Sequence, residues 1–381
     1  MDHDNLKQIF DHYIEKFEYL NNDQHRETYK WKIAYRFKPM MDAALAASEQ
    51  DFPAALYQVK KLTENLIDSY TQPFGGLCKF AEIYPERVRQ MFLALFAEDH
   101  GDVGEKQRKI LAFLDSSHAL RDELAPGSYL YNDDYHSVSA YLFLYDPDNN
   151  YLYKASHARE FADCIEFYDE WGSGMDIRLD VFYRMCEAVV SAVKEYQPLV
   201  LTDESRFKEK DGKPRTDLFA DRNKHLLVFD LLYCCSTYQL FDGITYNHRD
   251  SKERLLWQER REKALEWKAV FEEARAAEEK LTEATAYLQS YFQPGTVVRH
   301  RSFQEGTVVE NNGAFITVAF AAGVKKMDPA PVVCSRYLTT DQLGKDGRLE
   351  EYLPVLKQKE HIKHARESAE KMFAQYAEYL D

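Results

Sequence analysis

Five cations in the C-terminal third have the type and spacing to hold an anion: Arg299, Arg301, Lys325, Lys326 and Arg336. They fall on or beside short apolar runs, so a compact β-segment would gather them. Phosphate or an acidic partner is the ligand such a cluster suits; a solvated face is the plainer reading. Phe303 beside that cluster, and Trp31 and Tyr141 earlier in the chain, are the aromatics expected to stack on bases if nucleic acid is bound. Other chemistries are incomplete. Glu360-His361 and His364 stand one helical turn apart but lack a third metal ligand and a general base. Asp146, Asp148 and Lys154 flank a predicted hairpin roughly as a nuclease would need, yet Leu152 or Tyr153 stands where the second acid belongs. Gly75-Gly76 has no GxxxxGK[ST] or GxGxxG around it and reads as a turn, and no GxSxG is present. The expectation is therefore no catalytic residue, no metal and no cofactor.

The elements that would position these residues start with 251–292, which has no Gly or Pro. Trp257, Ala264, Trp267, Phe271, Ala274, Leu281, Leu288 and Phe292 form one stripe at helical spacing, interrupted at Glu278 and Thr285. This predicts an amphipathic helix joining two modules, with its stripe open to a second copy of the chain. Before it, 4–20, 51–70, 103–124, 157–168 and 178–195 read as helices, with Asp4 or Asn5 capping the first. NNDQHRE is a polar break, and Pro39 is expected to kink or end the helix around Trp31. Residues 138–154 read as a β-hairpin turning at Asp146–Asn150. The apolar run HLLVFDLLYCC is a buried strand or helix. After 293 come short β-runs, with Asn311-Asn312-Gly313 as a hairpin turn, of the kind that build SH3- or Tudor-like barrels. Residues 349–380 supply a final helix expected to pack on the 251–292 helix.

The totals bound the class. At 381 residues there is room for two or three domains, and 45% hydrophobic with 30% charged residues is the balance of a folded protein. The net charge is −15, of which residues 1–250 carry −14. That first region should repel phosphate, so any nucleic-acid contact belongs to the near-neutral remainder. Six cysteines without CxxC spacing fit reduced thiols. With no signal-like or membrane-length apolar run, a cytoplasmic protein is expected.

Two resemblances add to this. The order Tyr29-Lys30-Trp31, Phe80-Ala81, Pro85-Glu86-x-Val88-Arg89-x-Met91-Phe92-x-x-Leu95-Phe96, Val138–Leu142 and Asp148–Lys154 resembles the region ahead of the AAA+ motor in bacterial McrB-type restriction ATPases, over roughly 25–235. It implies a recognition or assembly module in restriction or phage defence. No Walker A loop, Walker B strand or motor follows, which removes nucleotide hydrolysis in cis from that implication. Residues 294–343 resemble the small Tudor-like domain at the C-terminus of UvrD-type helicases through Val298, His300, Phe303, Glu305, Gly306, Val308, Val309, Val324, Lys325 and Lys326. That likeness implies protein docking, with nucleic-acid contact as an addition and no catalytic role.

The combined expectation is an α+β protein: a mostly helical domain over 1–250 with a hairpin, a connecting helix over 251–292, a Tudor- or SH3-like barrel over 293–345 and a C-terminal helix over 346–381. Its expected function is a non-enzymatic adaptor. Its expected partner is an AAA+ ATPase, nuclease or polymerase in trans. The alternatives are a nucleic-acid recognition subunit, with modified DNA as one candidate ligand, and a metal-dependent nuclease of unrecognised type.

Overall fold

The structure, a computed structural model, describes the whole chain except residues 22–26, 64, 65, 69, 210, 346 and 381. The chain is α+β and divides into two compact units, Met1–Leu255 and Leu256–Asp381. Most of the predicted polar break at 21–27 and part of the predicted 51–70 helix lie outside the described residues.

The first unit is helical: α1 (His3–Glu15), α2 (Phe17–Leu20), α3 (Tyr29–Ala46), α4 (Phe52–Thr63), α5 (Pro73–Ile83) and α6 (Pro85–Leu95) come first. They are followed by α7 (Val103–Leu124), α8 (Tyr135–Tyr145), α9 (Ala155–Cys164), α10 (Leu179–Glu195), α11 (Gln197–Ser205) and α12 (His225–Thr237). Helix α1 is capped by Asp2, whose Oδ1 accepts from Asp4 N and Asn5 N at 2.9 Å each, rather than by Asp4 or Asn5. Helix α3 runs through Pro39 because that residue faces solvent, where water can serve the carbonyl the ring leaves unbonded. Gly75-Gly76 is no turn. It lies in the first turns of α5, and a Cβ on Gly76 would stand 2.4 Å from the Tyr131 side chain, so only glycine lets α5 approach there.

The expected hairpin at 138–154 is absent. Tyr135–Tyr145 is a helix opened by a capping box: Asp134 Oδ1 accepts from Ser137 N at 2.9 Å, and Ser137 Oγ accepts from Asp134 N at 3.1 Å. Every residue from Ser137 to Leu144 is buried, so the helix shows no amphipathic period and its β-branched and aromatic content mimics a strand. Residues 151–153 belong to no helix or strand. Tyr151 N donates to Tyr183 Oη at 3.2 Å and Tyr153 N to Ser139 Oγ at 3.0 Å, so side chains satisfy the backbone. The apolar run at 225–235 is α12. Its Asp230 accepts from Tyr13 Oη at 2.6 Å and from Lys30 Nζ at 2.6 Å, tying α1 and α3 to it.

The second unit holds most of α13 (Ser251–Ser290), the strands β1 (Val297–His300), β2 (Gln304–Asn311), β3 (Ile316–Phe320), β4 (Gly323–Met327) and β5 (Leu338–Thr339), and the helices α14 (Pro329–Cys334), α15 (Arg348–Lys357) and α16 (Lys359–Ala374). The expected separate helix, barrel and tail thus form one unit. The sheet is antiparallel and open, in the order β4-β3-β2-β1-β5. Asn311, Asn312 and Gly313 do make the β2–β3 connection: Asn312 Oδ1 accepts from Phe315 N at 2.8 Å, while Asn311 Nδ2 donates to Phe292 O at 3.0 Å. The inner sheet face, with Val298, Val308, Ile316, Val318 and Phe320, packs on Leu281, Ala284, Leu288 and Phe292 around the end of α13. Farther back along α13, Phe271 stacks on Phe373 of α16 at 5.7 Å, and Trp257 meets Tyr379 edge-on at 4.9 Å. The stripe expected to meet a second copy is therefore engaged by the chain's own C-terminal segment.

Candidate interaction site

The sheet register decides what the five cations can do together. In β4, Lys325 pairs with Val318 and Lys326 with Thr317. Neighbouring residues of a strand point to opposite faces, so the two lysines do not form one patch. Lys325 shares the face of Val318 and Phe320; its Nζ lies 5.4 Å from the centre of the Phe303 ring. Phe303 in turn stacks on His300 at 4.5 Å and 25°, and His300 Nδ1 accepts from Ser302 N and Phe303 N at 3.1 and 3.3 Å. Beyond His300 stands Tyr337, 6.1 Å away, with the Arg301 guanidinium 5.9 Å from its ring. Arg336 is exposed in the turn before β5 with a φ of 56°. One end of the sheet thus carries a belt of alternating cations and rings.

Arg299 and Lys326 lie on the other face. Arg299 is opposite Glu305 in the register and pairs with Asp341 at 3.6 Å, so its charge is largely answered. Lys326 Nζ sits 5.0 Å from the Phe315 ring. This outer face also bears Val297, Phe315 and Val324, at 51%, 44% and 64% exposure, which is apolar surface the chain itself does not cover. Strand β4 is the sheet edge, and Gly323 to Lys326 are exposed along it. Paired lysines on such a strand deter uncontrolled pairing with a second edge. Sequence reasoning found the lysines but missed Val297, Phe315, Val324 and Tyr337. The alternation of strand residues was the available signal, and it needed the register to be known.

Two of the three expected stacking rings are in the wrong place. Trp31 and Tyr141 are fully buried in the first unit. The Arg206 guanidinium lies 3.7 Å from the Trp31 ring, and Tyr141 packs among Phe74, Phe92 and Phe113 with its hydroxyl donating to Asp133 at 3.0 Å. A base cannot reach either ring without opening the core. Phe303 is half-buried and already engaged by His300 and Lys325.

The incomplete chemistries also change. Asp146 ends α8 and accepts from Asn149 Nδ2 at 2.9 Å, and Asp148 lies in the following turn; neither pairs with Lys154 among the described residues. Without adjacent strands, the acid–acid–lysine arrangement of the nuclease reading loses its frame. Among the described residues no three His, Cys, Asp or Glu side chains are placed to share a metal ion, and no helix is long and apolar enough to cross a membrane. A cavity of about 420 Å³ does lie between Lys38, Phe96, Asp99, Lys109 and Tyr145. Its charges are matched internally: Lys106 and Lys109 each reach Asp99 at 2.8 Å, and Lys38 lies 3.6 Å from Asp42. No protein-family model, curated protein or solved structure matches the chain.

Proposed function

We propose that the chain is a non-catalytic interaction protein, an adaptor whose second unit docks an extended acidic segment of a protein partner. The observation that carries this is β4: an exposed edge strand with Val324 outward and a lysine on each face. A segment added to this edge would gain main-chain hydrogen bonds, while acidic residues of alternating orientation would meet Lys325 on one face and Lys326 on the other. The exposed apolar outer face beside it would bury its apolar side chains. A meander with its fifth strand beside the first also suits the Tudor-like reading of residues 294–343, drawn from the sequence blocks quoted above. The blocks over 25–235 support a place in bacterial restriction or phage defence, with an AAA+ ATPase, nuclease or polymerase as the partner in trans.

The test is co-purification of the tagged full chain from its native host, beside Lys325→Glu combined with Lys326→Glu. Both positions are exposed, so the variant should fold. The wild type should retain a stoichiometric protein through nuclease treatment, and the double variant should lose it. Retention by the variant would sink the assignment.

A second reading has its own support in the belt of Arg301, Tyr337, Arg336 and Lys325, where Tyr337 is 43% exposed and offers ring surface on which a base would stack. In that case the co-purified material would be nucleic acid. Its affinity would fall steeply with salt, and Lys325→Ala with Arg301→Ala would flatten the slope by about two counterions.

A further inference from the structure

Lys154 is absorbed by none of the readings above. It is extended, with φ −135° and ψ 103°, and directly precedes the first residue of α9. Its ammonium is partly buried and lies 4.7 Å from the centre of the Tyr233 ring. Lys30 Nζ lies 4.0 Å from the centre of that same ring. Two cations thus share one phenol, but they are not equivalent. Lys30 is fully buried and doubly matched, by Glu27 and by Asp230 at 2.6 Å. The Lys154 ammonium has no hydrogen bond and no ion pair among the described residues; its contact there is the Tyr233 ring. One turn into α9, the His157 ring lies parallel to Tyr233, with centres 5.1 Å apart and planes 4° apart. His157 Nδ1 is 3.1 Å from Ser156 Oγ.

An unmatched ammonium in a poorly hydrated place, near a second cation, gives up its proton more readily than a surface lysine. For Lys154, burial is the larger cause and the charge of Lys30 the next, with Glu27 opposing both. The other groups facing this cluster do not supply the missing anion. Burial first, then Lys154 and Lys30, hold the His157 imidazole down to about 4, so it is neutral at pH 7. His136 of α8 is likewise pushed down by burial and uses Nδ1 on Tyr153 O at 2.9 Å. Tyr29 is pushed up to about 12 and stays a neutral phenol.

We propose that Lys154 is a nucleophilic amine site for small aldehydes and ketones. Once the ammonium has released a proton to water, the Nζ lone pair attacks the carbonyl carbon and a C–N bond forms. The carbonyl C–O bond then breaks, the oxygen leaves with two hydrogens as water, and a C=N bond joins the lysine to the carbonyl compound. No oxidant or reductant is consumed. This assignment concerns the first unit and stands or falls separately from the β4 docking reading.

The test uses the full chain and formaldehyde as a small neutral probe, with cyanoborohydride to trap each imine as a methylated amine, followed by peptide mass mapping from pH 6 to 10. At limiting formaldehyde and pH 7, Lys154 should be methylated faster than exposed Lys268 and Lys363, because an amine that releases its proton more readily has a larger free-amine fraction. Its rate should reach half-maximum at a lower pH than theirs. Lys154→Arg should remove that fast site and leave the rates elsewhere unchanged. Methylation of Lys154 no faster than the two exposed lysines, or with the same pH midpoint, would overturn the proposal, and this readout on the wild type needs no variant to fold.

Discussion

Asp221 is fully buried just ahead of α12, where its two carboxylate oxygens accept from Leu226 N at 3.1 Å and Leu227 N at 2.8 Å. Burial, reinforced by the neighbouring Asp203, raises its carboxyl to about 7, against the opposing pull of the two amides and Lys224. Asp133, buried under the hydroxyls of Ser117, Ser137 and Tyr141, is raised by burial to about 6. In an unfolded chain both would titrate near pH 4. Between there and their folded values, the folded chain binds protons that the unfolded chain has released. Stability from these two groups is therefore full below about pH 4 and declines as pH rises toward 7. Asp221→Asn keeps an acceptor for the amides but cannot ionise. Urea melts at pH 5 and pH 8 should show the wild type losing of the order of 2–4 kcal/mol more than Asp221→Asn over that interval. An equal loss in both would show that Asp221 is ionised at no extra cost. Burial of this kind was poorly legible in the residues themselves. Trp31 and Tyr141 looked like exposed stacking rings because their types serve core and interface alike, and a single sequence does not say which face of an all-buried helix is out.

At the scale of elements, legibility followed periodicity. Helices α1, α7, α10 and α13 each turn one apolar stripe inward and lie where the sequence predicts helix, whereas the single helix expected over 349–380 is two, α15 and α16. Helices α8 and α12 are apolar all round, so from sequence the first reads as a hairpin strand and the second as either strand or helix. Pro39, expected to kink or end its helix, does not end it: the rule that proline breaks a helix assumes a prohibitive cost, whereas α3 bears it on a solvated face. That cost should be recoverable. Pro39→Ala restores a backbone N–H within reach of the Tyr35 carbonyl and removes the ring crowding. It also frees the unfolded chain, which offsets part of the gain. The net expectation is a gain of about 1–2 kcal/mol in unfolding free energy, read as a higher urea midpoint. An unchanged or lowered midpoint would mean that packing around Met41 and Ala44 depends on the proline ring.

At the scale of the molecule, each unit carries its own hydrophobic cluster, one built from helices and one from a sheet against helices. The division at 255/256 lies inside α13, which contains no Gly or Pro, so composition alone marks no boundary there. What marks it physically is a change of task along α13. Arg254 is buried against Asp163 and Phe167 O of the first unit, whereas Leu281, Ala284 and Leu288 are buried against the sheet of the second. Two cores built from different contacts should respond to different substitutions. Gly306 tests this, because a Cβ there would stand 2.4 Å from the Phe320 ring and 2.9 Å from Ala319 O. Phe320 belongs to the second cluster and cannot yield without opening the β2–β3 pairing. Gly306→Ala should therefore destabilise the sheet by about 1–3 kcal/mol. Hydrogen exchange read by mass spectrometry should then quicken across residues 297–339 and leave α8 and α12 protected as before, since each cluster opens as its own cooperative unit. Faster exchange in α8 and α12 as well would show that the two cores unfold as one.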